Sequence, residues 1–175
     1  MTENHSAAKR ERAVLFDWGD TLMRVFPQYD GPMIDWPEIE LMPNAALALE
    51  QLHPTWTVVL ATDAKDSNEE QIRQALERGR ILKWIDAVYC CSNTGHPKPA
   101  PDFFAAVSEA LQLPPERMVM VGDRYESDVL GARNAGLLAI WYRPGWRGGA
   151  GRRNVVQNLY ELPALLEDLL PLRQE

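Results

Sequence analysis

Short, continuous apolar runs alternate along this chain with stretches whose apolar positions recur every three or four residues. The runs are AVLFD from Ala13, TVVLATD from Thr57, DAVYCC from Asp86, MVMVGD from Met118 and LAIWY from Leu138. Between and after them, PNAALALEQL (Pro43 to Leu52), SNEEQIRQALERG (Ser67 to Gly79), PDFFAAVSEALQL, ESDVLGARNAG and NLYELPALLEDLL carry the spacing of amphipathic helices. Pro43 suits a first helical turn, Ser67 or Asp66 is placed to cap the second helix, and Gly79 is placed to stop it. Strands that are apolar throughout are buried on both faces, so the pattern predicts a doubly wound, Rossmann-like parallel α/β sheet with helices on both sides. Ligands of such sheets bind beyond the carboxyl ends of the strands. Three of the runs end in Asp17, in Thr62 and Asp63, and in Asp123, which are therefore expected to meet on one rim.

Residues 1–12 read as a polar N-terminal tail and 13–175 as a single α/β domain. One segment breaks the rhythm: residues 23–42, with Pro27, Pro32 and Pro37, run to about twice the usual length of a βα loop. They read either as a flap or lid over the rim, or as a surface segment packed down by Phe26 and Trp36.

Composition narrows the possible partners. With 46% hydrophobic and 25% charged residues the chain has the make-up of an ordinary globular protein. A net charge of −7 argues against a nucleic-acid partner, whose phosphates call for an excess of Lys and Arg. No apolar run is long enough to span a bilayer and the first residues are polar, so a cytoplasmic protein without a membrane partner is expected. Cys90 and Cys91 are adjacent and cannot staple distant segments; they read as core or strand-end residues. His5, His53 and His96 lack zinc spacing, and the basic, glycine-rich stretch 143–153 lacks the order of a P-loop and reads as a mobile connection.

Four stretches remain: DWGDTL at Asp17, LATDA at Thr62, GHPKPAPDFF around Lys98, and VGDRYESDVLGARNAG around Asp123 and Asp128. In this order and at these strand ends they resemble the haloacid dehalogenase-like superfamily of hydrolases, most of whose members are phosphatases. The resemblance runs from Val14 to about Trp141. It implies a phosphoryl-transfer site in which Asp17 is the nucleophile and becomes an aspartyl phosphate that water hydrolyses. Such an attack requires cations, because a phosphomonoester dianion repels a carboxylate. The resemblance assigns Mg²⁺ to Asp17, the backbone carbonyl of Gly19, Asp123 and Asp128, the last directly or through water. It places Lys98, on a loop stiffened by Pro99 and Pro101, between the nucleophile and the transferring phosphoryl group. Thr62, with Asp63 beside it, would offer a hydroxyl and neighbouring N–H groups to the phosphoryl oxygens, provided the Asp63 carboxylate points away from the dianion. From the residues alone, Asp128 could equally cap a helix or tie down Lys98, and Arg124 could be merely exposed or could contact an anionic substrate.

The chain departs from the phosphatase pattern at one place. Phosphatases of this superfamily carry a second Asp two residues after the nucleophile, then a Gly; here Gly19 and Asp20 stand in exchanged positions. The absent Asp is the usual acid and base, a kind of group worth about 10²–10⁴-fold in rate. Gly19 gives the turn backbone freedom, and Asp20 is a candidate replacement acid only if the turn folds it inward. Dehalogenases and phosphonate-cleaving members also lack that Asp, but a helical cap encloses their substrates, and here only residues 23–42 are available. The expectation is a Mg²⁺-dependent phosphatase-like hydrolase with no separate cap domain, acting on a phosphorylated small molecule or phosphoprotein. The alternative is a regulatory module of the same fold that binds Mg²⁺ and phosphate but turns over weakly.

Overall fold

The computed structural model describes residues 10–147 and 154–172. Six parallel strands, β1 (Ala13–Phe16), β2 (Thr57–Ala61), β3 (Ala87–Tyr89), β4 (Met118–Gly122), β5 (Leu138–Tyr142) and β6 (Val155–Val156), form one sheet in the order β3-β2-β1-β4-β5-β6. β1 is flanked by β2 and β4, with Phe16 in register with Leu60 on one side and Val121 on the other. The chain winds outward from β1 to β3 and then crosses back to β4, so the strand order reverses beside β1. That reversal opens the crevice in which a doubly wound sheet holds its ligand.

Both faces of the sheet are covered, as the apolar strands predict. Val14, Phe16, Val58, Leu60, Val119 and Val121 face one core, closed by helices α1 (Ala45–Leu52), α2 (Glu69–Arg78) and α6 (Leu162–Leu169). Their neighbours Ala13, Leu15, Val59, Ala61, Met118 and Met120 face the other, packed on Phe103, Phe104 and Val107 of α4 (Pro101–Leu111). Alternate residues of one strand thus enter opposite cores.

Several boundaries differ from the sequence reading, each for a local reason. α2 is capped by Asn68, whose side chain accepts from Gln71 N while Gln71 Oε1 accepts from Asn68 N, so Ser67 and Asp66 lie outside it. Pro43 precedes α1, because Asn44 adopts a left-handed conformation (φ 63°) before the first helical residue. The third apolar run ends at Tyr89, and Cys91–Thr94 form a single turn, α3. The expected helix from Glu126 divides into a π-helical turn, Tyr125–Leu130, and α5 (Gly131–Asn134). Cys90 is buried and Cys91 half-buried.

Arg12, the end of the expected tail, is fully buried. Its guanidinium lies 4.1 Å from the Trp56 ring centroid, pairs with Glu167 at 2.5 Å and donates to Leu170 O. Residues 1–9 of that tail and 148–153 of the glycine-rich connection lie outside the described residues. Between β1 and α1, residues 23–42 contain one 3₁₀ turn, Met33–Asp35, and no separate cap. Among the described residues no helix is long and apolar enough to cross a membrane.

Candidate active site

Asp17 follows β1 directly, and its N–H extends the sheet by donating to Val121 O. The chain then folds back at once: the N–H groups of Leu22 and Met23 both donate to Trp18 O at 3.0 Å. This turn returns Thr21 beneath the strand end, with its hydroxyl 3.4 Å from Asp17 Oδ2 and 3.3 Å from Asp123 Oδ1, while Asp123 N donates to it at 3.2 Å. Asp123 stands just past β4, where Trp141 Nε1 of β5 holds its carbonyl oxygen at 2.8 Å.

Lys98, carried on the segment before α4, donates from Nζ to Asp17 Oδ1 and to Asp128 Oδ1, both at 2.7 Å. Asp128 is fully buried. Its Oδ2 accepts from Arg124 N and its Oδ1 from Ser127 Oγ. Such close approach to β4 depends on Gly122, because a Cβ there would lie 2.2 Å from Asp128 Oδ2. The π turn sets Asp128 in this place.

Asp17, Asp123 and Asp128 each present an oxygen within 4.8 Å of the others. Three carboxylates gather here beside one ammonium, which bonds only Asp17 and Asp128, and the electrostatics follow from that shortage. Burial pushes the Asp17 carboxyl up to about 6; Lys98 pulls it down, and the negative charges of Asp128 and Asp123 raise it. Asp123 is raised too, first by burial and then by Asp128. For Lys98, burial favours the neutral amine, but Asp17 and Asp128 outweigh it and hold the side chain protonated. Hard oxygen donors with surplus negative charge fit a divalent cation such as Mg²⁺.

A cleft of about 490 Å³ opens above this cluster. Thr62 lines it, nearly buried, its Oγ1 accepting from Ala64 N at 3.1 Å, which leaves the hydroxyl proton for a ligand. Asp63 also lines the cleft, with its carboxylate drawn toward the exposed Arg124 at 3.4 Å. Asp20 is exposed, adopts a left-handed conformation (φ 55°) and accepts from Val25 N at 2.9 Å through Oδ1. A short side chain bonded to nearby backbone makes that conformation acceptable for Asp. Gly19 does not use a left-handed backbone, contrary to the freedom expected for it. What it supplies is room, since a Cβ there would lie 2.8 Å from Val25 Cγ2.

The structure therefore clusters Asp17, Lys98, Asp123 and Asp128, sets Thr62, Asp63, Gly19 and Asp20 along the cleft, and engages Asp20 Oδ1 with the backbone of Val25. Sequence reasoning overlooked Thr21, Ser127 and Trp141 as partners of the cluster. Thr21 had a legible signal, its place four residues after Asp17 in a tight turn; Trp141 had none, because its contact depends on the β4–β5 register.

A family model of haloacid dehalogenase-like hydrolases matches residues 19–136. Glyceraldehyde 3-phosphate phosphatase of Pyrococcus furiosus is 41% identical over 80 residues, taking in 46% of this chain and 33% of that protein. The N-acylneuraminate-9-phosphatase of Mus musculus is 32% identical over 102 residues, 55% of this chain and 41% of that one. The chain thus spans less than half the length of these curated relatives. A crystal structure of an uncharacterized protein from Listeria monocytogenes serotype 4b superposes with a TM-score of 0.78 at 29% identity, covering 90% of this chain and 98% of that one.

Proposed function

The chain belongs to the haloacid dehalogenase-like hydrolases, and from that premise we propose that it is a Mg²⁺-dependent phosphomonoester hydrolase with Asp17 as nucleophile. The observation that carries this reading is the buried Asp17 carboxylate, held by Lys98 at 2.7 Å inside a cluster of three acids, of which Asp17 and Asp123 line an open cleft. Relatives named as phosphatases of small phosphorylated molecules support a substrate of that kind.

In this mechanism Lys98 at Oδ1 and the Thr21 hydroxyl at Oδ2 orient the Asp17 carboxylate, one oxygen of which attacks phosphorus. The new bond is Asp17 O–P, the bond to the leaving oxygen breaks, and water later hydrolyses the aspartyl phosphate. The Thr62 hydroxyl donates to a phosphoryl oxygen as charge shifts there. Asp17, Asp123, Asp128 and the Gly19 carbonyl would hold Mg²⁺, which supplies charge neutralisation between carboxylate and dianion.

Proton transfer to the leaving oxygen is the weak point. Gly19 has no side chain to give one, and Asp20, though it lines the cleft, has Oδ1 tied to the turn by Val25 N. Aryl and acyl phosphates, whose leaving groups need little protonation, are therefore expected to turn over better than alkyl phosphates. The same observation favours a second reading, a metal- and phosphate-binding module with weak turnover. The test is phosphate release from an aryl phosphate with and without Mg²⁺, set beside Asp17→Asn. Metal-dependent release lost in the variant supports the hydrolase; no release from the parent chain, with phosphate still bound, favours the module.

A further inference from the structure

Two stretches of the cleft wall differ in chemistry. One, from the loop after β2, is polar apart from Ala64: Thr62, Asp63, Lys65, Asp66 and Ser67. Another part of the lining comes from residues 23–42, where the side chains that meet the cleft, Val25, Met33 and Trp36, are apolar. Val25 is 39% exposed, beside the nucleophile's turn, and its methyl group stands over Gly19.

This wall is built to hold its shape. Met23 bridges Leu41 in antiparallel fashion, Arg24 N donates to Glu40 O, and the Arg24 and Glu40 side chains pair at 2.9 Å, closing the base of the segment. At its outer end Phe26, Tyr29 and Trp36 are in mutual ring contact at 5.7 to 6.3 Å between centroids. Trp36 Nε1 donates to the carbonyls of Asp30 and Gly31, and Arg78 of α2 donates to those of Ile34 and Trp36. Met33 and Trp36 are thereby buried in the wall, while Val25 is left uncovered next to the phosphoryl position.

We propose that this cleft selects phosphomonoesters bearing an apolar, aryl group next to the phosphoryl group, with Val25 as the residue that determines that preference. The inference rests on the phosphatase reading for the place of the phosphoryl group. It is independent of leaving-group acidity, because the wall acts by contact: an aryl ring laid against Val25 removes apolar surface of both from water, whereas a hydroxylated group laid against Val25 would lose hydration with no donor or acceptor on that side chain to replace it.

Phosphonates, which carry no cleavable P–O ester, separate recognition from turnover. Calorimetric titration with Mg²⁺ present compares methylphosphonate, benzylphosphonate and naphthylmethylphosphonate. Affinity is expected to rise about tenfold or more from methyl to benzyl, and Val25→Ser to reduce that ratio at least about threefold. Val25→Ile, which retains the apolar surface, is expected to preserve the ratio. Equal affinities across the series, no binding of any of the three, or a ratio unmoved by Val25→Ser would overturn the inference. Aryl-selective binding without Asp17-dependent phosphate release would instead overturn the phosphatase reading and leave the recognition intact.

Discussion

Val25 Cγ2 stands 2.8 Å from the point at which a Cβ on Gly19 would lie, and Asp20 Oδ1 holds the Val25 N–H at 2.9 Å. The exchange of Gly19 and Asp20 is thus coupled to a third residue. Asp20 seats Val25, and Val25 fills the space into which a side chain at position 19 would emerge. Restoring the acid alone should fail for steric reasons: Gly19→Asp is expected to destabilise the fold by about 1–3 kcal/mol by overpacking and to leave alkyl phosphate turnover low. Combined with Val25→Ala, it has room, and alkyl phosphate kcat should rise by about 10² or more. Rates on alkyl and aryl phosphates for both variants check this, and an equal gain in the single variant would show that Val25 is no obstacle.

Lys98 is the only ammonium bonded to Asp17 and Asp128 among the described residues. Replacing it by Met leaves two buried carboxylates without a cationic partner, and removal of one member of a buried ion pair typically costs about 3–5 kcal/mol. Lys98→Met is expected to lower the urea midpoint accordingly in chelator. A stability unchanged from the parent would mean that the cluster is neutralised in some other way.

How much of this was legible beforehand varies with the physics of each element. β1, β2, β4 and β5 were readable because burial on both faces makes them apolar throughout, and their ends delivered Asp17, Thr62 and Asp123 to one rim. β6 was missed because two residues carry no periodicity. The π turn at Tyr125–Leu130 was read as ordinary helix, since its apolar spacing is helical and only the approach of Asp128 to Gly122 requires otherwise. Asp20 could not be placed, because its orientation depends on Val25, five residues away across a turn. Side chains whose roles come from register or turn geometry leave no mark in composition or period.

Gly122 offers a sharper test of the cluster's packing. A Cβ at that position would be 2.2 Å from Asp128 Oδ2 and 2.4 Å from its Cγ, a contact that displaces the carboxylate. Gly122→Ala is expected to destabilise the chain by about 1–3 kcal/mol and to weaken Mg²⁺ binding measured by calorimetry. Retained Mg²⁺ affinity would exclude Asp128 from the metal site, directly or through water.

The raised carboxyl of Asp17 gives the last prediction, for the chain in chelator. Its pKa lies at about 6 in the fold against an ordinary 3.8, so between these values the folded chain binds more protons than the unfolded one. Stability therefore falls as pH rises through that window, the loss being complete above the folded pKa. Asp123, raised as well, acts with the same sign. The lowered carboxyls of Glu69 and Glu167 act oppositely, but only below their ordinary 4.5, and Lys98, raised above 10.5, titrates far outside the range. From about pH 5 to 7 the melting temperature in chelator should decline, and Asp17→Asn should flatten the decline while raising the value at pH 7. Mg²⁺ held as proposed would need the ionised carboxylates, so stabilisation by added Mg²⁺ should grow over the same interval. A melting temperature that rises with pH in chelator, or a decline unaltered by Asp17→Asn, would locate the proton uptake elsewhere.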